Sequence, residues 1–449
     1  MSLHQDVTSV KIRYFQSIVS YKMHLIDGSI GEGGGQIIRN AITYAALLQQ
    51  PIKVHSVRAG RSKPGLRAQH VCGLQLAADI CGGSLVGAEV GSTTFEFHPS
   101  SSRDTKDENK NPRTNICMDI GTAGSVCLLM QVGLPCWIFN PIVQFMELRG
   151  GTNAELAPQI DYLEEVLIPI LSRYVPSQNY VEGQRSGNAS AMLMDINVET
   201  RGYYPIGKGL VKCSLHPRLE RFAGPIDPIV LMDRGKVISV HIKCFYAGKA
   251  PQFLASKMGR SASDFLRQNS CKEGLPELEK IKPSIEIVKH EPAVGTATGI
   301  IIIAKTSADC IFGASALGNR KERVEMTGIK AAQELISNLQ SGGCVDEWLQ
   351  DQIIIFMALA NGESRIRTGS LTQHTRTAVD VARIMTGAVF TITKVDYPGE
   401  DQTVRNNDGE GHSTAYGKEG LDHGQHIITC RGIGFKRTRI KDTKGIRRL

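Results

Sequence analysis

The glycine-rich turn Gly31-Glu-Gly-Gly-Gly-Gln36 leads directly into a helical pattern and gives the first indication of the fold. Apolar residues recur with helical spacing over residues 36–48, and turn residues then separate the later segments. These segments are a strand at 52–57, a helix at 66–80, a glycine pair at 82–83 and two short strands near Leu85 and Phe95. The order helix, strand, helix, strand, strand predicts one compact unit of mixed α/β structure.

The same order recurs twice along the chain. A second copy begins at Gly121-Thr-Ala-Gly-Ser125 and has a further predicted helix at 157–174. A third copy has predicted helices at 345–359 and 374–385, on either side of a strand at 364–368. A unit used three times, with two helices on one side of a mixed sheet, predicts an α/β (α+β) fold of βαβαββ-type repeats.

The gap before the third copy is longer than one repeat requires. Residues 220–305 contain their own predicted strands and a helix at 255–268, which indicates an inserted small α/β domain. We expect the helix at 323–339 to lead into the third repeat, and residues 398–424 to form an exposed hairpin loop. The predicted organisation is an N-terminal extension (1–22), a large domain (23–219 and 306–434), the inserted domain (220–305) and a basic tail (435–449).

Composition excludes several classes of protein. The 449 residues are 41% hydrophobic and 21% charged, which is typical of a folded soluble chain and excludes wholly disordered, collagen-like and membrane-spanning proteins. The 11 cysteines are scattered and none forms a Cys-x-x-Cys pair, so neither a zinc site nor a secreted disulfide framework is indicated. We expect buried, reduced thiols in a cytosolic or nuclear protein.

Positive charge is concentrated at the C-terminus. The net charge is +8, yet the tail from Phe435 to Leu449 has seven basic residues against Asp442, which leaves the rest of the chain near neutral. Such a tail adds nonspecific affinity for RNA or acts as a nuclear address. A solvated, frayed terminus explains the same composition.

Two motifs suit the binding of an anion. Backbone amides of the turn at 31–36 can face an anion at the start of a helix, although a simple tight turn explains the same residues. No Gly-Lys-Ser/Thr follows, so the turn is not a P-loop. The stretch Arg58-Ala-Gly-Arg-Ser-Lys-Pro-Gly-Leu-Arg67 places four cations around a Pro-Gly turn. The planar guanidinium of arginine matches the oxygens of a phosphate.

These motifs and others give the chain its resemblance to the RNA 3′-terminal phosphate cyclase family, in the form found in eukaryotes. Together they are more specific than any single motif, and they are dispersed from about residue 24 to 434. The stretches that carry the resemblance are Asp27-Gly-Ser-Ile-Gly-Glu-Gly-Gly-Gly-Gln36, Arg58–Arg67 as quoted above, Thr122-Ala-Gly-Ser-Val-Cys-Leu-Leu-Met-Gln131, Arg149-Gly-Gly-Thr-Asn-Ala-Glu-Leu-Ala-Pro-Gln-Ile-Asp161, Arg201-Gly-Tyr-Tyr-Pro205 and Asp346-Glu-Trp-Leu-Gln-Asp-Gln352.

The resemblance implies both a fold and a reaction. The family's large domain has three repeats, each similar to the C-terminal domain of translation initiation factor 3 and to enolpyruvyl transferases, and a smaller domain is inserted before the last repeat. The family uses ATP to convert an RNA 3′-terminal phosphate into a 2′,3′-cyclic phosphodiester. The reaction proceeds through an adenylylated histidine and RNA-(3′)pp(5′)A, and releases pyrophosphate and AMP.

His374, within Leu371-Thr-Gln-His-Thr-Arg-Thr-Ala378, matches the family's nucleophile. A neutral imidazole can attack the α-phosphorus of ATP in line with the departing pyrophosphate. Because the nearby helix N-terminus disfavours imidazolium, we expect it to keep the lone pair of His374 available.

Other positions acquire roles through the same resemblance. The matches to ATP-binding positions are Gln131, Pro158, Trp348, Asp351 and Gln352, and Trp348 replaces the usual tyrosine. The matches to positions that bind the phosphates or the RNA end are Arg39, Arg58, Arg61, Gln69 and His70. Glu32 matches a carboxylate near a divalent cation, Mg²⁺ or Mn²⁺, and a single carboxylate with phosphate oxygens is a usual arrangement for magnesium. Tryptophan keeps a flat stacking face but loses the phenolic hydroxyl.

The resemblance leaves a second class of function open, since non-catalytic cyclase-like relatives act in ribosome assembly and lack the histidine. An enolpyruvyl-type transferase is a weaker alternative, because it rests on fold analogy alone. The expected partners are ATP and RNA with a 3′-terminal phosphate, with no membrane and no obligate protein partner. The expected location is the nucleoplasm, with the cytoplasm as a second compartment.

Overall fold

The computed structural model describes residues 23–100, 115–140, 143–175, 192–216, 219, 222, 224–270, 272, 274–395 and 424–437. Within these ranges the strands form four sheets against which helices pack, and this confirms the predicted α/β class. The predicted N-terminal extension lies outside the described residues, as do most of the 398–424 loop and of the basic tail. None of the described helices is long and apolar enough to cross a membrane.

The first repeat follows the order predicted from the glycine turn. Its elements are β1 (His24–Asp27), α1 (Gly35–Leu48), β2 (Ile52–His55), α2 (Ala68–Cys81), β3 (Gly83–Val86) and β4 (Phe95–Pro99). The strands lie in the order β1-β2-β4-β3, and only the pair β1 and β2 is parallel. Gly82, with a φ of +80°, ends α2 where the sequence predicts a stop.

The second repeat has the same strand order. Its elements are β5 (Asn115–Asp119), α3 (Val126–Ile138), β6 (Phe145–Gly150), α4 (Ile160–Tyr162), a π-helical turn (Leu163–Leu167), α5 (Ile168–Leu171), β7 (Met194–Gly202) and β8 (Gly209–Leu215). The order β5-β6-β8-β7 repeats that of the first sheet. A short strand, β12 (Ala293–Val294), pairs with the edge of β7.

The third repeat is completed by a strand that the sequence did not predict. Its elements are β9 (Val230–Leu231), α9 (Glu347–Gln352), α10 (Ile354–Leu359), β15 (Glu363–Thr368), α11 (Gln373–Thr386), β16 (Val389–Lys394) and β17 (His426–Arg431). The order β9-β15-β17-β16 is again that of the first sheet. Because β9 pairs in parallel with β15, the third repeat begins before the inserted segment and resumes after it.

The inserted segment forms the fourth sheet. Its elements are β10 (Val237–Ala247), α6 (Gln252–Asn269), α7 (Pro276–Lys280), β11 (Ser284–His290), β13 (Ala297–Thr306), β14 (Ile311–Leu317) and α8 (Val324–Gln340), with strand order β11-β10-β13-β14. The expectation that the helix at 323–339 leads into the third repeat is wrong, because α8 packs against α6, β13 and β14. The predicted limits 220–305 differ from this sheet at both ends, since they include β9 and omit β14 and α8.

One continuous apolar core joins the repeats and the inserted sheet. Helix α1 has a central position in the fold, because it packs against α2, α3 and α11. The start of α1 therefore lies beside the start of α11, although the two helices belong to the first and last repeats. Among the described cysteines, all unbridged, Cys117 is exposed and the others are buried, as the sequence predicts for most of them.

Candidate functional site

The glycine turn sits directly on the first turns of α11. Gly31 has a φ of +62°, and a Cβ atom there would lie 2.3 Å from Oγ1 of Thr377. The backbone N–H of Glu32 donates to the same hydroxyl over 3.4 Å. A Cβ atom at Gly34 would lie 2.2 Å from Oε1 of Glu32. Only glycine lets the turn come this close to the helix and fold around the Glu32 carboxylate.

His374 lies at the start of α11 and faces this turn. Its Nδ1 is 3.0 Å from Oε2 of Glu32, although the atoms are not aligned as a hydrogen bond. The His374 side chain is 39% exposed and that of Glu32 is 6% exposed, so the imidazole is more accessible than the carboxylate. The start of α11 is fixed by Gln350, whose Oε1 accepts from the backbone N–H of Thr372 and from the hydroxyl of Thr375.

Glu32 is the electrostatic centre of the site. Nη2 of Arg61 lies 3.1 Å from its Oε2, on the same oxygen that faces His374. Although burial opposes ionisation, the neighbouring His374 and two arginines lower the pKa of Glu32. Burial also opposes the charged imidazole, but Glu32 and Asp351 raise the pKa of His374 above its usual value. The two carboxyl groups therefore act on the pKa of His374 in the direction opposite to that expected of the helix N-terminus.

Two donors converge beside Gly35. A Cβ atom at this glycine would lie 2.7 Å from Nε2 of His70 and 2.8 Å from Nη1 of Arg39. Burial, reinforced by neighbouring arginines, lowers the pKa of His70 to about 3, so the ring is neutral. Its Nδ1 accepts from the backbone N–H of Arg67, which leaves the proton on Nε2. Nε of Arg39 is buried and has no hydrogen-bond partner among the described residues, which is the arrangement expected of an anion site.

Three of the predicted ATP-binding residues line one cleft. Gln131, Asp351 and Gln352 meet there with Gln36, whose Nε2 donates to Oδ2 of Asp351 over 2.8 Å. Burial raises the pKa of Asp351 to about 6, against the opposing effects of His374 and an arginine. The cleft lies between the first turn of α1 and helices α3 and α9, beside the contact of Glu32 with His374.

The other two predicted ATP residues do not line that cleft. Pro158 is buried in the turn that precedes α4. Trp348 is half-buried at the start of α9, and its Nε1 donates to Oε1 of Glu334 over 3.0 Å. Glu334 lies on α8, so the indole of Trp348 connects the third repeat to the inserted segment. Burial raises the pKa of Glu334 to about 8.

The side chains of Arg58 and Gln69 form hydrogen bonds with the backbone of loops. Nη1 of Arg58 donates to the carbonyls of Lys63 and Gly65 over 2.9 and 3.0 Å, so this guanidinium shapes its own loop. Gln69 lines a second cleft together with Arg39 and His70. Its Oε1 accepts from the backbone N–H of Ser125, which ties α2 to the loop before α3.

Several site residues were not found by sequence reasoning. Gln36 and Thr377 lie within quoted motifs, so their positions carried a signal that was not used. Gln350 and Glu334 act through other side chains and have no local sequence signal. The described residues contain no group of three or more His, Cys, Asp or Glu side chains that could hold a metal ion.

The arrangement combines a reachable imidazole, the buried carboxyl groups of Glu32 and Asp351, and converging cationic or neutral donors. An imidazole can form a covalent bond to phosphorus, and the donors around Arg39 and Arg61 can stabilise phosphate oxygens. These groups are suited to chemistry at the phosphorus of a bound phosphate.

Comparison with known proteins identifies the family to which the chain is similar. The sequence profile of the RNA 3′-terminal phosphate cyclase family matches residues 30–392. The chain is 33% identical over 419 residues to the RNA 3′-terminal phosphate cyclase of Drosophila melanogaster, covering 92% of this chain and 97% of that protein. It is 34% identical over 412 residues to the probable RNA 3′-terminal phosphate cyclase of Dictyostelium discoideum, covering 91% of this chain and 83% of that protein. The RNA 3′-terminal phosphate cyclase of Staphylothermus marinus is 34% identical over 359 residues, which cover 80% of this chain and 91% of that protein.

Proposed function

The chain belongs to the RNA 3′-terminal phosphate cyclase family, and on that premise we propose that it cyclises RNA 3′-phosphates through an adenylylated His374. The observation that carries the proposal is the position of His374, 3.0 Å from Glu32 and beside the cleft that contains Asp351. Because Nδ1 faces Glu32, Nε2 is the nitrogen available for attack. ATP and RNA ending in a 3′-phosphate are the substrates.

The reaction has three displacements at phosphorus. First, Nε2 of His374 forms a bond to the α-phosphorus of ATP while the bond to pyrophosphate breaks. Second, an oxygen of the RNA 3′-phosphate attacks that phosphorus and the phosphorus–nitrogen bond breaks, which gives RNA-(3′)pp(5′)A. Third, the neighbouring 2′-hydroxyl attacks the activated 3′-phosphate, loses its proton and expels AMP. The last step is intramolecular, so proximity favours it.

The side chains around His374 have distinct tasks in this proposal. The buried guanidinium of Arg39 and the N–H of His70 bind oxygens of a phosphate, which supplies the missing partner of Arg39 Nε. Arg61 lies at the edge of the same space through its contact with Glu32. Gln131, Asp351 and Gln352 bind the nucleotide within their cleft, and Trp348 lies on the helix that carries the last two of these residues.

Glu32 is the residue that would hold Mg²⁺ or Mn²⁺. Its chemistry fits, because a buried carboxylate is a hard oxygen ligand and phosphate oxygens can complete the shell. When bound, the cation neutralises negative charge on the phosphates. Arg61 and His374 already share the Glu32 oxygen, so this carboxylate also orients the imidazole.

The test is covalent labelling with α-³²P-ATP and a divalent cation. We expect label on the wild-type protein, release of that label on addition of an RNA 3′-phosphate, and no label on His374→Ala. His241→Ala is the matched control, because His241 is a partly exposed histidine on β10 of the inserted sheet. Undiminished label on His374→Ala would defeat the mechanism, and an unlabelled wild-type protein would favour the ribosome-assembly alternative. A nuclear location stays a prediction from the basic tail.

A further inference from the structure

An exposed tyrosine stands on the loop between β7 and β8. Tyr204 is 81% exposed, the highest value among the large apolar side chains of the described residues, and Ile206 on the same loop is 48% exposed. Leu156 is 65% exposed on an adjacent loop and has an unfavourable φ of +63°. The two loops are joined by backbone pairing between Asn153 and Tyr203. A strained apolar residue held in solvent beside an exposed aromatic ring indicates a binding surface.

Close backbone contacts restrain the loop that carries Tyr204. A Cβ atom at Gly207 would lie 2.6 Å from Cα of Ala123, and one at Gly202 would lie 2.3 Å from the backbone N of Gly209. The preceding residue, Tyr203, is buried, and its hydroxyl forms a hydrogen bond with Nδ1 of His290. Tyr204 is therefore displayed by a loop whose backbone has little freedom, which lowers the entropic cost of binding.

The loop is continuous with the proposed RNA-end site. Gly207 packs on the loop that precedes α3, as its closeness to Ala123 shows. The same α3 loop contacts Gln69, since the backbone N–H of Ser125 donates to its Oε1 over 3.3 Å. Gln69 in turn lines the cleft that contains Arg39 and His70. Only one loop therefore separates Tyr204 from the residues proposed to bind the terminal phosphate.

Charge on either side of this path suits a polynucleotide. Lys208 is exposed on the Tyr204 loop, and Arg67 is exposed at the start of α2, next to His70 in the first repeat. Glu155 is an exposed carboxylate on the Leu156 loop, whereas the two cations belong to the Tyr204 loop and the start of α2. An aromatic ring with flanking cations is the usual platform for a single strand, because every base has a face to stack.

We propose that Tyr204 stacks a base of the RNA upstream of the 3′-terminal phosphate, and that Lys208 pairs with the RNA backbone. Ile206 and Leu156 extend the apolar surface beneath the bases. This inference rests on the proposed function, since it assumes that the 3′ end lies near Arg39 and His70. Its consequence is that the enzyme prefers polynucleotide ends over short 3′-phosphorylated fragments.

The experiment compares binding of two 3′-phosphorylated RNAs by fluorescence anisotropy, a dinucleotide and an oligonucleotide of about ten residues. We expect Tyr204→Ala to weaken binding of the longer RNA by about 5- to 150-fold, the range for loss of one base stack, and to leave the dinucleotide unaffected. Tyr204→Phe keeps the ring and should bind as the wild type does. Phe253→Ala removes another exposed aromatic, on α6 of the inserted sheet, and is the matched control. Lys208→Ala should lower affinity for the longer RNA and make it less dependent on salt.

Binding and labelling separate this inference from the proposed function. Anisotropy needs no catalysis, and labelling with ATP alone needs no RNA, so Tyr204→Ala should accept label as the wild type does. Equal losses on both RNAs, or no loss on the longer RNA, would overturn the stacking role. A change in the oligomeric state of Tyr204→Ala would also overturn it and identify the surface as a contact between copies of the chain.

Discussion

Replacing Gly31 with alanine tests whether the glycine turn must lie against α11. An alanine with a φ of +62° loses about 1–2 kcal/mol to backbone strain alone. Its Cβ atom would also lie 2.3 Å from Oγ1 of Thr377, far inside normal contact. Overpacking of this kind adds about 1–3 kcal/mol, so Gly31→Ala should lower the free energy of unfolding by about 2–5 kcal/mol. Adenylylation should fall as well, because the turn carries Glu32.

Two further variants separate the energetic cost of backbone strain at Gly31 from the cost of the steric clash with Thr377. Gly121 has a φ of +69° and open space around its Cα, so Gly121→Ala measures the backbone strain without a clash. Thr377→Ala removes the hydroxyl that Gly31→Ala would meet. Alone it loses the hydrogen bonds of that hydroxyl with the carbonyl of Gln373 and the backbone N–H of Glu32, each worth about 0.5–1.5 kcal/mol. In the double variant of Gly31 and Thr377 the clash is relieved, so its stability should exceed the sum of the single changes by about 1–3 kcal/mol.

Urea denaturation gives the free energy of unfolding of the wild type and of each of the four variants, and labelling with α-³²P-ATP gives their activity. If Gly31→Ala costs no more than Gly121→Ala, the turn is not seated on α11 as described. If the double variant shows no coupling, the hydroxyl of Thr377 is not the atom that the new methyl group meets. Either result would remove the physical basis for placing Glu32 beside His374.

Three other measurements follow from the buried charges. Burial lowers the pKa of His290 to about 3, so the unfolded chain takes up a proton at higher pH than the folded chain does. The stability that this creates is present above the unfolded pKa of about 6.5 and is lost as pH falls, by about 1.4 kcal/mol between about pH 7.5 and about pH 5.5. In urea titrations, His290→Gln should lose less stability than the wild type over that interval, and parallel curves would contradict this reasoning. Asp161 is buried with both oxygens on Arg201, and although burial opposes ionisation, Arg201 lowers the pKa of Asp161 to about 2. Asp161→Asn should therefore cost about 3–5 kcal/mol in urea unfolding, since it leaves a buried guanidinium without its counter-charge, and a cost below about 1 kcal/mol would refute this. Burial lowers the pKa of Arg39 despite two nearby carboxylates, so Arg39→Met should abolish turnover without lowering the melting temperature, and a large fall in that temperature would show a structural role instead.

The sequence predicts those parts of the fold that depend on local pattern. The helix after the glycine turn, the stop after α2 and the helix that carries His374 follow from spacing, glycines and caps, and the structure has all three. The partner of a helix does not follow from its pattern. The apolar face of α8 predicts that the helix is buried, but nothing in its residues says that it packs on α6 and β14. A strand of two residues such as β9 has too few positions to show any period.

For the candidate site too, some features could be predicted from the sequence and others could not. Glu32, Arg61 and His374 could be proposed from the motifs that carry the resemblance to the cyclase family. What each side chain does could not be predicted, since that depends on atoms from other elements. Arg58 has the same residue type as Arg61, yet its guanidinium binds carbonyls of its own loop while that of Arg61 reaches Glu32. The indole of Trp348 is held by Glu334, which belongs to the inserted segment and has no counterpart in the motif.

The position of the site explains why these contacts escape local reasoning. The hydrogen bond from Glu32 to Thr377 closes a loop of 345 residues, so the first and last repeats must both be folded before nucleophile and carboxylate can meet. Closing so long a loop costs entropy, and the shared core between α1 and α11 offsets that cost. The glycines of the turn contribute no side-chain contacts of their own, and their role is to let the two helix starts approach. The chemistry of the site therefore depends on packing between repeats, and a change far from His374 that loosens α1 from α11 acts on the imidazole as directly as a change beside it.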